Sequence, residues 1–165
     1  MEIIKLSTDW AKAEVFSAKM AGLLSLVVLL AALGFWQWGK TPMAKSFVWP
    51  LLVAGLLLIA VGAGLYFANK PRIAQFEAAY KRDADSFIQN ELVRTAKSKH
   101  DLALVFKVLP AIIIAAALLI MFTQTPLWRA VGVTTILLMT LLMLIDSNTD
   151  ARNTAYHRDL LTAKQ

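Results

Sequence analysis

The sequence contains no cysteine among its 165 residues. This absence excludes disulfide frameworks, thiolate metal sites, iron–sulfur clusters and cysteine nucleophiles. Charge is also scarce: 17% of the residues are charged and 58% are hydrophobic, whereas soluble domains have about a quarter charged and about half apolar residues. The chain therefore has too little polar surface for a globule that faces water on every side.

The hydrophobic residues are concentrated in four blocks, each close to the roughly 20 residues that cross a bilayer as a helix. Helix-ending signals follow the first two blocks, namely Gly39 with Pro42, and Asn69 with Pro71. The last two blocks are joined by only a few residues and are expected to pair antiparallel. The sequence predicts an all-α membrane protein, one domain over 1–165 with four transmembrane helices in two antiparallel hairpins, at 20–38, 47–67, 102–122 and 127–145.

The segment 72–100 is charged and too polar to span, but it carries one apolar stripe at helical spacing. It is predicted to form a cytoplasmic amphipathic helix of roughly 29 residues, about 43 Å long at 1.5 Å per residue. Acidic and basic residues are mixed on its polar face. This mixture favours packing of the apolar stripe against protein over binding of the stripe to a lipid surface. The stripe is a candidate docking surface made of Ile73, Phe76, Tyr80, Phe87 and Ile88.

The stripe is expected to pack against the two ends of the chain. These are the N-terminal stretch around Trp10 and Phe16 and the tail with Tyr156 and Leu160. The membrane surface or another chain is the alternative cover. N-cap residues predict one helix start at 7–9 and a separate tail helix in the segment 147–165.

Orientation follows from Lys and Arg, which favour the cytoplasmic side of a membrane. Thirteen Lys and Arg residues lie in the two terminal segments and the middle segment. Three lie on the opposite side of the four blocks. Trp36, Trp38, Trp49 and Trp128 fall at the opposite ends of the blocks, where an interfacial aromatic belt is expected. Both patterns predict cytoplasmic N- and C-termini in a plasma membrane.

Few residues inside the blocks suggest chemistry, because no Asp or Glu lies within them. Lys107 is predicted either to reach the headgroups or to form an intramembrane ion pair with Asp146. Pro110 is a candidate hinge, with a static bend as the alternative. Small residues that permit close helix packing, or an oligomer interface through the second span, are Gly55, Gly62, Gly64, Ala111 and Ala115.

No cofactor, metal or catalytic residue is predicted. The two histidines, His100 and His157, have no ligand spacing that demands a metal. No phosphate-binding loop, dinucleotide fingerprint or nucleophile elbow is present. The net charge of +6 is assigned to orientation and to membrane lipid rather than to nucleic acid.

The stretches 9–16, 34–40 and 69–73 resemble small four-span bacterial inner-membrane proteins. This resemblance implies a bacterial plasma membrane and carries over no binding or catalytic residue. With no site in the spans or loops, the sequence favours a non-enzymatic protein that acts through protein contacts. Such a protein is a subunit, scaffold or regulator, a class that includes immunity-type inhibitors, and its expected partner is a second copy or another membrane protein. A small oligomeric transporter or channel is the alternative, and a membrane enzyme ranks third.

Overall fold

The computed structural model describes residues 2–163, and this part of the chain is helical almost throughout. Short connections separate the helices, and three of the helices contain 37 to 39 residues each. In chain order, the helices are α1 (Glu2–Trp38), α2 (Pro42–Ser46), α3 (Val48–Asn69), α4 (Arg72–Arg82), α5 (Ala84–Phe122) and α6 (Pro126–Ala163).

Four helical stretches are long and apolar enough to cross a membrane, as the sequence predicts. They are α1, the bent stretch formed by α2 to α4, α5 and α6. The predicted ends at Trp38 and Phe122 and the end signal at Asn69 coincide with helix ends in the structure. The chain therefore has the composition and helix lengths of a multi-pass membrane protein.

Two predicted helix starts are wrong, because the long helices run through the places where the sequence suggested caps. α1 begins at Glu2 rather than at 7–9, and the Ser7 hydroxyl bonds back to the Ile3 carbonyl at 2.9 Å. No separate tail helix begins near 147, since α6 is continuous and Asn148 bonds back to the Leu144 carbonyl at 2.8 Å. Cap-type side chains inside a helix can bond to the preceding turn, so they did not mark boundaries here.

The middle segment is also not one 29-residue helix. Asp83 adopts an extended conformation between α4 and α5, and its carboxylate accepts hydrogen bonds from the Ser86 amide at 3.0 Å and the Ser86 hydroxyl at 2.7 Å. This N-cap satisfies a backbone donor that would otherwise be free at the start of α5. α5 then continues without interruption through the apolar block that begins at Leu102.

α1 packs along α3, and α5 packs along α6. Glycines permit the close approach: a Cβ at Gly62 would lie 3.1 Å from the Ala18 carbonyl oxygen, and a Cβ at Gly132 would lie 3.0 Å from that of Ala116. α6 also contacts α1 and α3, whereas α5 has Cα atoms within 8 Å of α6 and α4 only. Over the described residues, α5 is therefore the helix at the edge of the spans.

The apolar interior is divided into two clusters. One joins the spans of α1, α3 and α6 through buried residues that include Val28, Leu58 and Leu138. The other joins α4 to the parts of α1, α5 and α6 that lie outside the apolar blocks. We call this second region the helical cap and define it as residues 2–18, 72–82, 84–100 and 146–163.

Candidate functional site

The cap contains an aromatic and aliphatic core drawn from α1, α4, α5 and α6. Trp10 stacks on Tyr156 with ring centroids 5.4 Å apart. Phe87 meets Phe76 edge-on at 5.5 Å and Tyr80 at 5.8 Å. The buried members of this core are Trp10, Ala11, Phe76, Phe87, Ile88, Leu92, Tyr156 and Leu160.

The stripe proposed for docking lies inside this core. Phe76, Phe87 and Ile88 are buried, and Ile73 and Tyr80 are partly buried against the same cluster. The cover comes from the chain's two ends through Trp10, Tyr156 and Leu160, whereas Phe16 stays outside with 61% of its surface exposed. The stripe is therefore occupied within the chain and leaves little apolar surface for another protein.

This cover leads to a labelling prediction that the cysteine-free sequence makes simple to test. Single cysteines at Phe76 and Phe87 are expected to react slowly with a water-soluble maleimide, because both positions are 6% exposed. Cysteines at Lys81 and Asp85, which are exposed on the same segments, are expected to react quickly and serve as controls. Equal rates at all four positions would show that the stripe is uncovered.

A charged pair lies beside the aromatic core. The Arg94 guanidinium donates two hydrogen bonds to the Glu91 carboxylate, at 2.9 and 2.7 Å. The guanidinium carbon also lies 4.1 Å from the centroid of the Trp10 ring, within the range of a cation–π contact. Such planar, two-point pairing is stronger and more directional than a single contact. This pair within α5 orients the Arg94 guanidinium over Trp10, and the guanidinium–ring contact joins α5 to α1.

Tyr156 connects this pair to α6. Its hydroxyl lies 3.0 Å from a Glu91 carboxylate oxygen and 2.8 Å from the Ser7 hydroxyl. Burial first, and then the negative charge of Glu91, raise the pKa of Tyr156 well above its ordinary value. The phenol therefore stays protonated at physiological pH and serves as a fixed donor rather than as an acid.

A second buried carboxylate, that of Glu14, joins α1 to α6. Its side chain is 2% exposed and accepts a hydrogen bond from Arg152 at 3.0 Å. The Thr149 hydroxyl donates to its other oxygen at 3.2 Å, and Arg152 also donates to Ser17 at 2.8 Å. A buried charge requires such partners because its desolvation is costly. Glu14 is thus a structural carboxylate with both of its oxygens hydrogen-bonded.

A third polar contact joins α5 to α6. The Asn153 side chain donates to the Thr95 carbonyl at 3.0 Å, and the Thr95 hydroxyl lies 2.6 Å from Nδ1 of His157. Both Thr95 and Asn153 are fully buried. Together, the three contacts tie every long helix of the cap to another one.

The charged and polar groups of this arrangement are engaged with one another. Its carboxylates are engaged by arginine, and its tyrosine is held neutral. Among residues 2–163, no group of three potential metal-binding side chains is present. The network is therefore best described as a set of polar ties that fixes the cap.

Sequence reasoning missed Glu14, Glu91, Arg94 and Arg152 as site residues. Glu91 and Arg94 are three residues apart, which is the spacing of neighbours on one helix face. The sequence alone therefore indicates that these two side chains can pair. Glu14 and Arg152 are 138 positions apart. One sequence carries no pattern that joins them.

The structure does not join Lys107 to Asp146. Lys107 is exposed on α5 and Asp146 is partly buried on α6, and no ion pair within 4.0 Å among residues 2–163 includes either of them. Their proximity stays a prediction. Pro110 lies inside α5, where its role as a hinge is likewise untested.

The predicted small packing residues have different surroundings. Gly55 and Gly62 are buried where α3 meets α1. A Cβ at Gly64 would meet nothing within 4 Å, and Ala111 and Ala115 are exposed on α5. Two small residues that sequence reasoning did not select, Ala116 and Gly132, form the close contact between α5 and α6.

Comparison of the chain with models of protein families, with curated proteins and with solved structures gives no match. The residues and contacts of the chain itself must therefore indicate its function.

Proposed function

We propose that this chain is a non-enzymatic membrane protein that acts through contacts with other membrane proteins, as a subunit, scaffold or regulator. In this proposal, α1 with α3 and α5 with α6 form two antiparallel hairpins in a bacterial plasma membrane. The cap and both termini lie in the cytoplasm. The excess of Lys and Arg on that side, thirteen against three, supports this orientation.

The observation that carries the proposal is the exposed surface of α5. Between 102 and 122, only Leu102, Leu109 and Ala116 are buried, and their regular spacing along the helix describes one narrow seam. α6 is the only spanning neighbour of α5 among the described helices. Large apolar side chains cover the rest of its surface, including Leu104, Val108, Ile114, Leu118, Met121 and Phe122.

A helix held by one neighbour leaves most of its circumference for lipid or for another helix. Packing with another chain would add van der Waals contacts, which are the main source of helix association in membranes. Ala111 and Ala115 are exposed on α5, one helical turn apart, which allows a partner backbone to approach closely. These features support α5 as the contact helix for a second copy or for another membrane protein.

Crosslinking from a single cysteine introduced at Ile114 tests this proposal in intact membranes. Ile114 is 61% exposed near the middle of its span, and Leu56 on α3 is a matched control at 54%. We expect the Ile114→Cys variant to give a crosslinked dimer or a crosslink to a co-purifying protein, while the Leu56→Cys variant gives neither. Equal yields from the two variants, or no product from Ile114→Cys, would contradict α5 as the contact helix.

A small oligomeric transporter or channel is the alternative, and one observation favours it. Lys107 is exposed one turn before Pro110 on the same edge helix. Association through α5 would therefore bring a cation and a proline that lacks a backbone N–H donor to a shared interface. Ion flux through liposomes that contain the protein, lost in Lys107→Met and altered in Pro110→Ala, would favour this alternative over the scaffold role.

A further inference from the structure

An open groove of about 470 Å³ lies between α1 and α3, in the half of the spans nearest the cap. Its lining is mostly apolar and includes Leu26 and Ile59. Lys19 and Tyr66 line the end near the cap. In a bilayer, the groove would face the hydrocarbon of one leaflet, with its charged end at the headgroups.

Glycine creates this concavity. A Cβ at Gly22 would meet nothing within 4 Å, so the space beside this residue is open. A Cβ at Gly62 would instead lie 3.1 Å from the Ala18 carbonyl oxygen, so Gly62 lets the helices approach. The groove thus lies beside a close helix contact that fixes its shape.

The cap end of the groove is positively charged. Lys19 is exposed there, and the Lys70 ammonium lies 5.5 Å from the centroid of the Tyr66 ring, which also lines the groove. No Asp or Glu among the described residues contributes to the lining. Glu14, the nearest acidic residue before Lys19 in the sequence, is engaged by Arg152.

We propose that this groove binds an acyl chain of an anionic phospholipid, with the phosphate between Lys19 and Lys70. Hydrocarbon matches the apolar lining, and the two ammonium groups match a negative headgroup. Two ammonium groups at one end of an otherwise apolar groove match a lipid with an anionic headgroup better than the apolar helix of a second copy. If the cap is cytoplasmic, the site faces the leaflet that carries an anionic surface potential.

Native mass spectrometry of the full chain in mild detergent tests this site, with phosphatidylglycerol and phosphatidylcholine of identical acyl chains as probes. We expect preferential retention of phosphatidylglycerol. The double variant Lys19→Gln/Lys70→Gln should bind it about 30-fold more weakly, which corresponds to about 1 kcal/mol per lysine. The double variant Lys97→Gln/Lys99→Gln, altered in the cap away from the groove, should bind it like the parent protein.

A pair of glycine variants tests the groove itself. Gly22→Leu should fill the open space and abolish retention, whereas Gly64→Leu should not, because Gly64 also has nothing within 4 Å but does not line the groove. Unchanged unfolding in lipid-free detergent would show that both variants fold. Equal retention of the two lipids, or normal retention by Gly22→Leu, would overturn the proposal. Loss of a dimer instead of lipid in Gly22→Leu would assign the groove to a second copy and would also overturn it.

The measurement does not depend on membrane orientation or on a protein partner. Failure of the lipid site is therefore distinguishable from failure of the proposed function. Lipid retention without an α5 crosslink, or the reverse, would leave one proposal standing and remove the other.

Discussion

Replacement of Glu14 by alanine is expected to reduce the free energy of unfolding by about 3 kcal/mol, at the lower end of the range for a broken buried ion pair. The lower end applies because the Arg152 side chain keeps 26% of its surface exposed, while that of Glu14 keeps 2%. Without Glu14, the Arg152 guanidinium and the Thr149 hydroxyl lose a buried acceptor. Reversible unfolding in mixed detergent micelles would measure the loss.

Asp9→Ala provides the control on the same helix. Asp9 pairs with Lys12 at 3.8 Å, but both side chains are more than half exposed. An exposed pair of this kind contributes at most about 1 kcal/mol. The double variant Glu14→Leu/Arg152→Met should recover part of the loss, since replacing both partners removes the unpaired charge. A loss for Glu14→Ala no larger than that for Asp9→Ala would contradict a tie between α1 and α6.

Trp10→Ala is expected to be the second strongly destabilising change, with a loss of about 3–5 kcal/mol for removal of a large buried aromatic side chain. Trp10 is 8% exposed. It stacks on Tyr156 and supports the Arg94 guanidinium at 4.1 Å. The same substitution should also speed maleimide labelling at Phe87→Cys, because the cap would lose its central ring.

Trp38→Ala is the matched control, because Trp38 lies on the same helix with 76% of its surface exposed. Trp10→Phe refines the test: the buried Nε1 of Trp10 has no hydrogen-bond partner among the described residues, so its removal should cost less than removal of the ring. Similar losses for Trp10→Ala and Trp38→Ala would show that the cap is not organised around Trp10.

The four spanning stretches were predictable because each is a hydrophobic run that can be seen in the sequence itself. Helix-ending residues follow these runs at Gly39, at Pro71 and after Phe122. The stripe from Ile73 to Ile88 was predictable for the same reason, since a helical period is a local property. The break at Asp83 has a local signal, because Asp83 is a good N-cap residue three positions before Ser86. The apolar period that continues across it predicts an unbroken helix instead.

Other features depend on contacts that a single sequence does not contain. α6 continues through Asn148, whose side chain bonds back to the Leu144 carbonyl, and Arg152 further along α6 contacts Glu14 on α1, a contact that no local pattern indicates. The exposure of α5 depends on which helices became its neighbours, and hydropathy does not encode that choice. Gly132 was overlooked because its importance comes from Ala116, on a different helix.

The polar network of the cap also clarifies why buried charge need not indicate chemistry. Perturbed ionisable groups often mark functional sites, but structural networks perturb them as well. Here Glu14 and Glu91 each pair with an arginine, and Tyr156 remains a neutral donor. These groups are expected to affect stability strongly.

Fusion reporters would test most directly the membrane arrangement on which the proposed function depends. A reporter active only in the cytoplasm, fused after Gln165 or inserted near Asp85, is expected to be active. A reporter active only outside the cytoplasm is expected to be active when fused near Pro42 or Gln124. A cytoplasmic signal near Gln124 would contradict the four-span arrangement and the cytoplasmic cap together.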